Sequence, residues 1–343
     1  MLSCVFGLGK VVNSGKLRFI VIDGSTVQEP GAKATTYRLH IAIDLISLSL
    51  YQVKVTTDKV GESLEHYDLQ EGDVVVLDRG YNQPKSLVPF LDKGGEVVLR
   101  YNPHSMNLYE EDPATTGKLG PRINWASRLH QLNERPGCLK AWLCYQKKRI
   151  RVYVHAIPLP SEQAAEARRK AQQRCKGNTL SQDALYISGW VLVMTSLPPE
   201  ILDTDTASSL YRVRWQVELV IKRLKSLLDI DLLRARKGSD LAELYLHGKL
   251  LYAALLEKSR QHRFGHAKRT LDAERELTDW RLWRTLADEF LSVLKACFPP
   301  QPYFTNAMLR SLAERPRKRQ LQSLPLLMLA LLKDCRERGE SLV

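Results

Sequence analysis

Cysteine is scarce in this chain, and its placement excludes two kinds of scaffold. The six cysteines among 343 residues, Cys4, Cys138, Cys144, Cys175, Cys297 and Cys335, show no CxxC spacing and no paired histidines. They read as scattered thiols of a reducing cytoplasm, so neither a disulfide framework nor a zinc site is expected. Long apolar runs are also missing. The best of them, Ile41–Leu50 and Leu324–Leu332, are interrupted by Asp44 or too short to span a bilayer. The first seven residues carry no basic segment and no apolar stretch follows them, so no signal peptide is expected. There is no internal repeat and no low-complexity tract. Acidic charge is in deficit: 38 Asp and Glu face 51 Lys and Arg, for a net charge of +13. An excess of that size makes a polyanion the expected partner, and without a membrane segment nucleic acid is preferred to lipid.

Enough remains to build a core. Apolar residues make up 44% of the chain, which excludes global disorder. The length suggests about two domains, or one with a large insertion. Leu17–Asp23 is a short buried strand pattern ended by Gly24-Ser25. Tyr37–Asp44 and Leu48–Val55 alternate as two further strands of a meander. Glu62–Leu69 has a weak helical period. Val74–Asp78 is a second buried strand, Pro84–Leu91 a short helix opened by proline, and Glu96–Tyr101 another strand. Strands and helices in that order predict an α/β mixed sheet with flanking helices over residues 1–101. Residues 102–195 read as a largely β insertion, with strands at Leu139–Tyr145, Arg149–Ala156 and Tyr186–Thr195 around a charged helix at Ser161–Lys176. Residues 196–258 return to the first domain, and 259–343 form a helical C-terminal region. The helices expected there are Thr206–Leu228, Asp240–Lys258, Asp279–Ala296 and Leu321–Arg338.

The helix predicted over Thr206–Leu228 carries the most informative cluster. Wound at about 100° per residue, Tyr211, Arg214, Glu218 and Lys225 fall within roughly 60° of arc, beside the apolar stripe of Val213, Val217, Val220, Ile221, Leu224, Leu227 and Leu228. On geometry alone an ordinary i,i+4 Arg214–Glu218 surface pair explains part of this. Two apolar strands each run into an aspartate followed within two residues by glycine, at Asp23-Gly24-Ser25 and Asp78-Arg79-Gly80. Either could simply open a turn, yet ligands of α/β sheets collect at the carboxyl ends of strands. Three convergent carboxylates offer hard oxygen donors suited to Mg²⁺ or Mn²⁺. Two such ions can clamp the attacking and leaving oxygens of a phosphoryl transfer.

Tyr211-x2-Arg214-x3-Glu218-x6-Lys225 resembles the Tyr–Arg–Glu–Lys signature of bacterial DDE transposases of the insertion-sequence-4 type. Asp23-Gly-Ser-Thr and Asp78-Arg-Gly-Tyr81 are similar to that family's two aspartate motifs, and the resemblance covers residues 17–258. It implies a ribonuclease-H-like catalytic core with a β-rich insertion, and Asp23, Asp78 and Glu218 as the catalytic, metal-binding triad for two Mg²⁺ (or Mn²⁺) ions. It implies phosphate contacts from Tyr211, Arg214 and Lys225, and transposon ends and target DNA as partners. A homodimer in the active complex and a cytoplasmic, nucleoid-associated location follow from it as well. Trp190 looks similar to an insertion-domain tryptophan with which hairpin-forming relatives stack a flipped base. A core aromatic on an apolar strand is the equal alternative.

Around the signature, Lys222, Arg223, Arg234, Arg236 and Lys237 read as a phosphate track. Arg168-Arg169-Lys170, Arg174 and the basic stretch Arg315–Arg319 fit a solvated surface as well as a DNA contact. The histidines show no ligand spacing. Two other functions stay open: a ribonuclease-H-like nuclease without strand transfer, and a non-catalytic DNA-binding remnant of an insertion element, since only 22 residues precede Asp23.

Overall fold

The computed structural model describes residues 3–5, 17–112, 119–175, 180–235, 238–264, 270–272, 275–295, 306, 310, 313–314 and 326–340. They form two compact units. The first holds Met1–Val11, Val21–Gly61 and Trp215–Pro325, and the second Val12–Ile20, Glu62–Arg214 and Leu326–Val343.

In the first unit, strands β1 (Ser3–Val5), β2 (Arg18–Val27), β3 (Tyr37–Asp44) and β4 (Ser49–Thr57) lie in the order β1-β4-β3-β2. β3 and β4 are antiparallel, with an irregularity between Ala42 and Ile43, and β1 is antiparallel to β4. β2 shows how composition makes a strand. Phe19, Ile20, Val21 and Ile22 are all fully buried, as expected of an unbroken apolar run covered on both faces. Helices α6 (Trp215–Leu228), α7 (Leu241–Phe264) and α8 (Asp279–Leu294) complete this unit. α6 packs on β3, α7 on β4, and the three helices pack on one another. A small antiparallel sheet of β12 (Thr270–Asp272), β13 (Arg275–Leu277) and β14 (Ala313–Glu314) joins them.

In the second unit the opening residues of β2 begin a sheet in the order β2-β5-β6-β11-β10-β9-β7-β8. The guanidinium of Arg18 holds the nearly inaccessible carboxylate of Asp73 through two bonds of 2.7 Å, tying β2 to β5 (Asp73–Leu77). α1 (Pro84–Leu91) connects β5 to β6 (Glu96–Arg100), which lies parallel to it. β7 (Tyr109–Glu111), β8 (Leu119–Arg122), β9 (Gly137–Tyr145), β10 (Lys148–Pro158) and β11 (Trp190–Thr195) follow, interleaved with α2 (Trp125–Gln131), α3 (Ser161–Arg174) and α4 (Gln182–Ser188). Residues 102–195 thus supply strands as expected, and those strands extend the sheet of β5 and β6, because β11 pairs antiparallel with β6. α5 (Thr204–Val213) packs on β6, β10 and β11, and the closing helix Leu326–Glu340 packs on α5.

The α/β class, the mixed sheet with flanking helices and the helical C-terminal region are as expected. In chain order the meander β2–β4 is followed by β5, α1 and β6. Four local expectations are corrected. β2 does not end at Gly24-Ser25. It runs on to Val27, whose carbonyl accepts the Thr36 N–H at 3.1 Å, so the β2–β3 hairpin closes four residues past Asp23. Tyr186–Ser188 is helical, not strand. The Ser181 hydroxyl accepts the Ala184 N–H at 3.2 Å and starts α4, which stops at Gly189. Glu62–Leu69 contains only one 3-10 turn, Leu64–His66. The long helix over Thr206–Leu228 is two helices, α5 and α6, parted at Arg214. The last predicted helix begins at Leu326 among the described residues, and Leu321–Pro325 lie outside them. No helix among the described residues is long and apolar enough to cross a membrane.

Candidate active site

In the first unit Asp23 emerges, half-buried, from the four fully buried residues of β2. Its Oδ1 accepts the N–H of Gly24 at 2.8 Å, a local bond that orients the carboxylate along the strand. α6 presents Val217, Val220, Leu224 and Leu228 to the core, and Glu218 and Lys225 flank that stripe, both half-buried. Lys225 Nζ donates to the carbonyl of Thr26 at 3.4 Å. Thr26 is three residues beyond Asp23 on β2, so Lys225 reaches the strand of the first aspartate from a helix whose packing is on β3. Glu218 and Lys225 are seven residues apart and share a helix face.

In the second unit Asp78 leaves β5, whose five residues are all buried, in an extended conformation. Its Oδ1 accepts the Gly80 N–H at 2.7 Å and caps the 3-10 turn Arg79–Tyr81. The turn is pinned from below: Asn82 Nδ2 donates to the Arg100 carbonyl at 2.7 Å, and the Asn102 N–H donates to Asn82 Oδ1 at 3.0 Å. The glycine of the motif lies close to two carboxylates. A Cβ at Gly80 would stand 2.1 Å from Glu62 Oε2 and 3.0 Å from Asp78 Oδ1. Glu62 is therefore a second carboxylate at the Asp78 turn. A lone glutamate in a weakly periodic stretch gave no signal for it in the sequence.

Tyr211 and Arg214, at the end of α5, belong to this second unit and are half-buried. The Arg100 guanidinium carbon lies 5.8 Å from the centre of the Tyr211 ring, within cation–π reach. Burial, with the charge of Arg79, lowers the Arg100 pKa to about 10, so the group stays cationic at neutral pH. Arg79 and Arg100 were not singled out from the sequence. Arg100 closes an apolar strand just as Asp78 follows one, and that position is the signal that could have found it.

Two residues expected to contact DNA are buried. Arg223 is 7% exposed and pairs with Asp279 on α8 at 2.7 Å, its guanidinium carbon 5.7 Å from the Trp283 ring centre. It faces inward because its position on α6 lies beside Val220 and Leu224 in the stripe. Trp190 is 5% exposed, on β11 opposite Pro158, edge-on to Tyr186 at 6.3 Å. Tyr186 in turn stacks on His130 at 3.9 Å. Trp190 is packed among these side chains, the placement expected of the core-aromatic alternative. Lys222 and Arg234 are exposed, whereas Arg236, Lys237 and Arg315–Arg319 lie outside the described residues. Lys170 is engaged with Glu166 along α3 at 2.6 Å. Among the described residues, no group of three or more His, Cys, Asp or Glu side chains is gathered closely enough to hold a metal ion.

The chain is a basic α/β protein with Asp23 on β2, Asp78 directly after β5 and Glu218 on α6. The family model described as "Transposase DDE domain" matches residues 14–254, most of the chain, and the chain belongs to that family. Membership makes it a DNA transposase, with phosphodiester hydrolysis and transesterification as its chemistry, in a family that generally uses divalent metal ions. The chain is similar to the putative transposase InsL of insertion sequence element IS186A from Escherichia coli strain K12, at 27% identity over 277 residues. That match covers 77% of this chain and 71% of the relative. It is equally similar to the Escherichia coli transposase of IS421. The transposase of IS231F from Bacillus thuringiensis subsp. israelensis is 26% identical over 198 residues, 53% of this chain and 40% of that one. Among solved structures it aligns with a piggyBac transposase synaptic complex with hairpin DNA at a TM-score of 0.41 and 9% identity, over 85% of this chain and 56% of that one.

Proposed function

We propose that this transposase cuts DNA at the ends of an insertion element and joins the freed 3′-hydroxyl to target DNA, with Asp23, Asp78 and Glu218 as its catalytic carboxylates. The observation that supports the reading is the Lys225–Thr26 contact, by which the helix that carries Glu218 reaches the strand that carries Asp23. The three carboxylates offer hard oxygen donors, the chemistry that suits two Mg²⁺ or Mn²⁺ ions. When bound, such ions stabilise charge on attacking and leaving oxygens. Tyr211, Arg214, Lys222 and Lys225 contact transposon-end phosphates in this reading, joined by Arg79 and Arg100 beside Asp78. The active complex is a homodimer, in the cytoplasm and on the nucleoid.

The test uses the purified full chain and a plasmid carrying its own element with native flanks. Cleavage should require Mg²⁺ or Mn²⁺ and stop with EDTA. Asp23→Asn, Asp78→Asn and Glu218→Gln should each lose at least about 1,000-fold in cleavage rate, while retaining non-specific DNA binding, which phosphate contacts supply. Wild-type cleavage by any of the three folded variants would remove that residue from the site.

A further inference from the structure

α7 is apolar on two faces, and among the described residues only one of them is packed. Ala242, Leu246, Leu250, Ala253 and Leu256 are buried where the helix packs on α6, α8 and β4. On the other side Leu241 is 45% exposed, Leu244 68%, Tyr245 39%, Leu251 58% and Leu255 44%. Leu244, Gly248, Leu251 and Leu255 follow one another at steps of four, three and four, the seam spacing of a helix that pairs with another helix. A Cβ at Gly248 would meet nothing within 4 Å, so the seam has a notch at its centre.

We infer that this seam is the surface on which a second copy of the chain docks, α7 against α7, antiparallel. Three features select that occupant. First, the seam is self-complementary. A twofold axis between Lys249 and Leu250 puts Leu244 opposite the partner's Leu255 and seats Leu251 over the partner's Gly248. Second, charge is polarised along the helix. Asp240 and Glu243 stand at its start, Lys258 and His262 near its end, all of them exposed. An antiparallel pair brings acid to base at both ends and opposes the helix dipoles, whereas a parallel pair sets like against like. Third, the size is right. The five side chains leave on the order of 500 Å² of surface in water, so mutual burial covers on the order of 1,000 Å², where a specific interface begins. The surface stands whether or not the three carboxylates are the catalytic ones.

The experiment is sedimentation of the full chain from about 1 to 100 µM, without DNA, at physiological salt. Wild type should sediment as a dimer in the upper part of that range. Leu244→Glu and Leu251→Gln should each raise the dissociation constant at least tenfold, with far-UV circular dichroism and melting temperature unchanged, because both side chains are exposed. Adding Leu255→Lys to Leu244→Glu should restore the dimer, since only the antiparallel register sets position 244 against the partner's 255. A wild type that stays monomeric throughout, dimers that persist in Leu244→Glu and Leu251→Gln, or a double variant that remains monomeric would each overturn the proposal.

Discussion

Replacing Arg223 by methionine separates a structural arginine from a DNA contact. In the native protein its Nη1 lies 2.7 Å from Asp279 Oδ2, and both side chains are largely shielded from water. Asp279 has a second, looser partner in Arg260 at 3.9 Å. Arg260 is itself held by Glu257 through bonds of 3.0 and 2.5 Å, both groups almost fully buried. Burial alone would pull the Arg260 pKa down, but the bonds to Glu257 and the charges of Glu257 and Asp279 outweigh it and the pKa rises. Removing one partner of a buried pair typically costs about 3–5 kcal/mol. Here Asp279 keeps Arg260 and sits in the first turn of α8, where the helix dipole favours a carboxylate. The expected cost of Arg223→Met is therefore somewhat below that range, about 2–3 kcal/mol. Urea unfolding followed by circular dichroism measures it. The companion variant Arg223→Met with Asp279→Leu leaves no orphaned charge and should recover at least about 1 kcal/mol of the loss. DNA affinity of the folded fraction, and its salt dependence, should match wild type. A stability loss below about 0.5 kcal/mol, within the range of ordinary surface substitutions, would refute the structural role, as would a flattened salt slope with unchanged stability.

Three further outcomes are expected. Lys225→Ala and Arg214→Ala should each lower the slope of log affinity against log salt by about 0.9 on a cleaved transposon end, and an unchanged slope in either would remove that phosphate contact. Trp190→Ala should destabilise the fold by about 3–5 kcal/mol, the usual cost of deleting a buried large aromatic; a thermal melt at the wild-type temperature with slowed hairpin formation would instead return Trp190 to the DNA. His155 is fully buried, its Nδ1 3.0 Å from the Thr204 hydroxyl, and burial pushes its pKa down to about 4, against the opposing charge of Asp203. Because the folded pKa lies below the unfolded value of about 6.5, its contribution is fully present above that pH and is lost as pH falls toward 4, by on the order of 2–3 kcal/mol. Urea midpoints across that window should fall for wild type and much less for His155→Gln; parallel curves would show that His155 does not carry the effect.

Much of this protein was written in local pattern. Apolar runs of four residues, Phe19–Ile22 and Val74–Leu77, read as strands covered on both faces, and they are buried strands. Pro84 opened its helix where expected, and Tyr37–Asp44 is a strand over its full predicted length. The excess of 51 basic over 38 acidic residues pointed to a polyanion without reference to any fold. Tertiary structure decided what local pattern leaves degenerate. Whether an arginine on a helix meets water or a carboxylate depends on what packs over it, and Arg223 meets Asp279 from a helix more than fifty residues away. Whether a tryptophan on an apolar strand is a platform or a core residue depends on which strands flank it, and β6 and β10 enclose Trp190's strand. The end of β2 was set by a hydrogen bond from Thr36, across the hairpin, and not by the glycine after Asp23. Gly80 and Glu62 are eighteen residues apart, and only the fold puts the carboxylate where a Cβ would be. Periodicity reports which face of an element is apolar. The partner that covers that face is chosen by long-range packing, which no window of sequence contains.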